Sequence, residues 1–147
     1  MKTIRLILLF SLLSGLAHKA HAADRSSLQG ILISASNEPG QTDRRLASYE
    51  PTLRRILRFE SFKFLGDDTA SISAPDDVRL SIGDGHQLAV TVERVDEKSI
   101  HVTVRWTGGG RTLMNTGLVL RPGVPAVLGG PSTGNKGEVY AVILIGR

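Results

Sequence analysis

Cysteine is absent from this 147-residue sequence. No disulfide framework, thiolate metal site, thiol nucleophile or lipid-modified N-terminal cysteine is open to it, and the fold must stand on its core alone. Also missing is an apolar run of the roughly twenty residues that a helix needs to cross a bilayer. The longest such run, residues 6–17, has 12 residues, and later ones are shorter and broken by polar side chains. The third absence is an excess of one charge, which emerges only once the N-terminal segment is understood.

Lys2 and Arg5 form a short positive head, the apolar run follows, and Ala20-His21-Ala22 supplies the small residues that a signal peptidase reads. This layout predicts a cleavable secretory signal over residues 1–22 and a single exported domain over residues 23–147, periplasmic or extracellular. The whole chain carries 18 Lys and Arg against 14 Asp and Glu; Lys2, Arg5 and Lys19 leave with the signal, so 15 face 14 in the remainder. A nearly neutral domain gives no electrostatic reason for a nucleic-acid partner, and none is expected. His18 and His21 leave as well, so only His86 and His101 remain. No transmembrane segment is expected after residue 22.

What is present reads mainly as strands. An apolar run over residues 28–35 predicts a first strand, and residues 36–41 a loop rich in turn formers. Leu46, Tyr49, Leu53, Ile56 and Leu57 recur at helical spacing, with Thr42 or Asp43 as the cap. Pro51 interrupts that pattern, and one helix bent near Glu50 is expected. Period two takes over from Phe62 and Phe64 onward, with Asp67-Asp68 ending that strand or marking a bulge.

Val78, Leu80 and Ile82 face one way, as do Leu88, Val90 and Val92. A three-residue loop at 84–86 would set Ile82 against Leu88, Leu80 against Val90 and Val78 against Val92, keeping apolar beside apolar. A second hairpin around Asp96-Glu97-Lys98 sets Val92, Val90 and Leu88 opposite Val102, Val104 and Trp106, with Glu93 facing His101. Further strands are expected at 112–120 and 125–128, joined by a type II turn at Pro122-Gly123, and a Gly-rich loop at 129–137 leads to the last strand, 139–145. The first and last strands are apolar on both faces, which argues for central positions covered from both sides. The expected fold is α+β and β-rich: a mostly antiparallel sheet or sandwich packed against one N-terminal helix, with the terminal strands central.

Enzymatic chemistry finds little purchase. No Gly-x-Ser-x-Gly elbow is present. Asp68-Thr69-Ala70 resembles the Asp-Thr-Gly/Ala signature of aspartic proteases, but the resemblance covers three residues, follows Gly66-Asp67 where apolar strand residues belong, and lacks a partner segment. Asp76-Asp77 lacks the alternating oxygen ligands of a calcium loop. In residues 129–137 Lys136 follows Asn135 and precedes Gly137, and a strand rather than a helix comes next, which excludes a phosphate-binding P-loop. His86 in a turn and His101 on a strand are expected to be exposed or locally hydrogen-bonded, and Trp106 to lie in the core. No cofactor and no metal are expected.

Charge is distributed unevenly instead. Residues 43–63 hold six basic side chains against three acidic ones, and residues 67–84 hold five Asp against Arg79. Arg44, Arg54, Arg55 and Arg58 are expected to form a basic helix face suited to an envelope protein or an anionic envelope component. The sequence thus points to an exported, soluble, non-enzymatic binding or assembly module of the bacterial cell envelope. The alternative is a small exported hydrolase whose Asp and His side chains converge only in the fold.

Overall fold

A computed structural model describes residues 26–147. The expected signal segment, residues 1–22, lies outside the described residues. Eight strands make up most of the fold: β1 (Ser26–Ser36), β2 (Ser61–Ile72), β3 (Asp76–Gly83), β4 (His86–Val95), β5 (Ile100–Gly108), β6 (Arg111–Leu120), β7 (Ala126–Ser132) and β8 (Glu138–Gly146). Between β1 and β2 the chain forms a 3-10 turn, Arg44–Leu46, and one helix, α1 (Glu50–Leu57). The strands assemble into two antiparallel four-stranded sheets, ordered β2-β1-β8-β7 and β3-β4-β5-β6.

Alternation decides how the layers stack. Leu28 and Leu32 of β1 and Val142 and Leu144 of β8 point toward the second sheet and pack with Leu80, Leu88, Val90, Val102, Val104 and Trp106. The residues between them, Ile31, Ile33 and Ala35 of β1 and Ala141, Ile143 and Ile145 of β8, point the other way and pack with Leu46, Leu53 and Phe62. Both terminal strands therefore carry apolar residues on both faces because each is covered twice, by a sheet and by the helical layer. At about 25 cal/mol per Å² of apolar surface buried, these two clusters supply the main driving force in a chain without cross-links.

The helical segment departs from expectation. The expected single helix, capped by Thr42 or Asp43 and bent near Glu50, does not form; α1 begins only at Glu50, with Pro51 in its first turn, and lies between β1 and β2 rather than at the N-terminus. Proline suits that position, where its missing N–H has no helical partner to lose and its fixed φ favours entry. Asp43 instead caps the short 3-10 turn, its Oδ1 accepting the Arg45 backbone N–H at 3.0 Å.

The β3–β4 hairpin also corrects the expected register. A two-residue turn at Asp84-Gly85, both at positive φ, brings Gly83 opposite His86, Leu80 opposite Leu88 and Val78 opposite Val90. The apolar faces still match because the ladder skips Ile82 at a bulge, which leaves that side chain fully buried without a cross-strand partner. The β4–β5 pairs Val92–Val102, Val90–Val104 and Leu88–Trp106 form as expected, but a bulge beyond Val92 places Arg94, not Glu93, opposite His101. The Gly-rich segment is part strand too: β7 continues through Gly129 and Pro131 to Ser132.

The two sheets meet closely where β2 passes β3. A Cβ on Gly66 would lie 2.3 Å from the Ile82 carbonyl oxygen, so only glycine permits this approach. The Ser81 N–H donates to Asp68 Oδ2 at 3.0 Å across the same corner.

Candidate functional site

The helical layer presents the arginines singled out above. Leu46 and Leu53 are fully buried and anchor it to the outer face of the first sheet, so the opposite side of α1 is turned to solvent. Arg54 is engaged: its Nε donates to Glu50 Oε1 at 3.0 Å and its Nη2 to the Glu60 carbonyl at 2.8 Å. Arg44, Arg55 and Arg58 are exposed and make no ion pair among the described residues. Arg58 closes α1 in a left-handed conformation at φ 54°, its N–H donating to the Arg54 carbonyl at 3.2 Å. Ile56 lies between Arg55 and Arg58 in sequence and is 48% exposed. Arg45, by contrast, is bound to Asp43 at 2.8 Å with its guanidinium 4.1 Å from the centre of the Phe64 ring. Hydrogen bonds from Arg45 hold the Asp43 carboxyl down at about 2.

Of the Asp and His side chains, Asp84 and His86 line one pocket, and Asp68, Asp76, Asp77 and His101 lie away from it. Asp68 caps backbone at the β2–β3 corner, and Asp77 accepts the Thr91 hydroxyl at 2.8 Å. His101 lies on the outward side of β5, with Arg94 at 2.8 Å and Ser99 at 3.3 Å. None of Asp68, Asp76, Asp77 and His101 lines the pocket that His86 lines. No group of three His, Asp or Glu side chains among the described residues could hold a metal ion. In the loop after β7, Thr133 and Asn135 donate to the Glu138 carboxylate, and an anionic side chain at that centre disfavours phosphate.

His86 is the residue that sequence reading misplaced. It is only 7% exposed, because the two-residue turn keeps it on β4, two positions before Leu88 and on the same inward face. Trp106 donates its indole N–H to His86 Nδ1 at 2.9 Å. Tyr140 packs against the imidazole at 4.4 Å between ring centres and donates its hydroxyl to Asp84 Oδ2 at 2.8 Å. Two glycines make room: a Cβ on Gly108 would meet the imidazole at 2.7 Å, and one on Gly130 would meet the indole at 2.2 Å. Burial holds the His86 pKa below its ordinary value, against the opposing pull of the Asp84 carboxylate. The alternation of β4 signalled this burial, but the expected loop at 84–86 took His86 out of the strand; Tyr140 gave no signal at all.

Comparison with protein-family models, with curated proteins and with solved structures found no match. The candidate site therefore rests on its own geometry. No helix among the described residues is long and apolar enough to cross a membrane.

Proposed function

We propose that this chain is an exported, non-enzymatic binding module of the bacterial cell envelope that docks an acidic surface of another envelope protein on Arg44, Arg55 and Arg58. One observation carries the proposal: these three guanidinium groups stay exposed and unpaired among the described residues, whereas neighbouring Arg45 and Arg54 are neutralised within the chain. Arginine is enriched at protein interfaces because its planar fork binds carboxylates in two parallel hydrogen bonds. Exposed Ile56 adds an apolar contact beside Arg55. An anionic lipid surface would hold three arginines by about 3 kcal/mol, a weak and reversible attachment. A carboxylate-bearing protein surface adds the directional pairing that lipid lacks.

The test is capture of envelope proteins on immobilised residues 23–147, compared with a variant carrying R44E, R55E and R58E. A partner should be retained at low salt, released near 1 M salt where screening shortens to about 3 Å, and lost from the variant. Equal capture by the variant would overturn the proposal. So would retention by protein-free anionic vesicles as strong as that by the extract.

A further inference from the structure

The pocket above His86 is built from separate parts of the chain: the β3–β4 turn, the β5–β6 turn, β7 and β8. It is an open depression of about 280 Å³, lined by Asp84, His86, Arg111, Leu113, Ser132 and Tyr140 among others. We propose that it binds a small zwitterion of the class of a free α-amino acid, the carboxylate held by Arg111 and by Nε2–H of His86, the ammonium held by Asp84.

The chemistry of His86 comes first. An indole nitrogen can only donate, so the imidazole Nδ1 facing it must be unprotonated, and the ring's one hydrogen sits on Nε2. Nε2 has no hydrogen-bond partner among the described residues, in a side chain more than nine-tenths buried that lines the pocket. A donor held in position by Trp106, Tyr140 and Gly108, without an acceptor among the described residues and open to the pocket, is placed to meet one that enters from outside.

Charge is the second, independent observation. Asp84 and Arg111 line the same small pocket but form no ion pair with each other. Asp84 is held by the Tyr140 hydroxyl at Oδ2 and keeps Oδ1 without a partner among the described residues. Opposite charges that line one pocket without pairing with each other match a ligand that carries both, and a ligand with one charge would leave the other unanswered. The volume, about 280 Å³, falls just under the 300–1,000 Å³ common for drug-sized ligands, which suits a guest the size of a free amino acid. Leu113 offers an apolar wall for a short side chain.

The proposal is independent of docking by the basic face and is tested separately, by NMR titration of isotope-labelled residues 23–147 with L-leucine, N-acetyl-L-leucine and L-leucinamide. Leucine should shift the His86 ring and Gly109 resonances in a saturable way. The acetylated acid and the amide, each lacking one charge, should bind about tenfold more weakly or worse, the factor expected for losing a hydrogen bond to a charged group. R111Q and D84N should weaken leucine binding by a similar factor; both side chains are exposed, so an unchanged amide spectrum elsewhere will report an intact fold. No shift at tens of millimolar leucine, equal binding of the one-charge analogues, or unaltered binding by either variant would each overturn the proposal.

Discussion

The indole nitrogen of Trp106 lies 2.9 Å from Nδ1 of His86 and donates its hydrogen to it, twenty positions apart in sequence and on adjacent strands. The bond exists only while that imidazole nitrogen is unprotonated, so it ties the packing of one sandwich end to a proton equilibrium.

The first prediction is a pH dependence. The His86 pKa is depressed in the folded chain by burial, with Asp84 opposing, so between the folded value and the ordinary 6.5 the unfolded state binds more protons. Its contribution to stability is fully present above about pH 6.5 and is lost as pH falls through the folded-state pKa. NMR titration of the two imidazoles in residues 23–147 should place His86 below 6.5, and urea midpoints should fall across that window. A His86 value at or above 6.5 would contradict the buried hydrogen bond.

Trp106→Phe removes the donor and leaves Nδ1 of a buried ring without its partner. The expected loss is about 1–3 kcal/mol of unfolding free energy, with a rise in the His86 pKa because the indole N–H no longer occupies Nδ1, although burial still opposes protonation. Denaturant unfolding and the same titration read both effects.

Gly66→Ala sets a methyl group 2.3 Å from the Ile82 carbonyl, which is backbone and cannot swing aside. Separating β2 from β3 should cost about 1–3 kcal/mol or more. Gly85→Ala offers the contrast: nothing lies within 4 Å of the added carbon there, and any loss reflects only its φ of 74°.

Leu53→Ala and Arg55→Ala separate packing from docking within α1. Leu53 is fully buried against the first sheet, and truncating it should cost about 2–5 kcal/mol. Arg55 is exposed and unpaired among the described residues, so its loss should leave stability within about 0.5 kcal/mol while weakening partner capture. A large stability loss in Arg55→Ala would show that the side chain has a structural partner.

The strands were legible because burial on one face writes itself into alternate residues, as in Val102, Val104 and Trp106 of β5. The terminal strands were legible as central for the converse reason: covered on both sides, β1 and β8 have no polar face to show. Turn geometry was less legible. Loop length and bulge can trade one residue against the other without disturbing the apolar pattern, and at Ile82 the chain took the bulge. Pro51 was equally ambiguous, since proline can bend a helix or open one, and the packing of Leu46 and Leu53 on the first sheet accompanies the second outcome.

The basic arginines were visible in sequence as types and positions, but not their pairing. That Glu50 and Glu60 engage Arg54 and leave Arg44, Arg55 and Arg58 exposed depends on where α1 starts and how the chain leaves it. The sequence by itself determined the inward and outward faces of the strands and the absence of thiol chemistry, since both follow from side-chain type and a period of two. Only the tertiary structure decided the company His86 keeps. Asp84, Trp106, Arg111 and Tyr140 come from different strands and turns, and a hydrogen bond or a pocket wall depends on distances of a few ångströms that chain spacing does not encode.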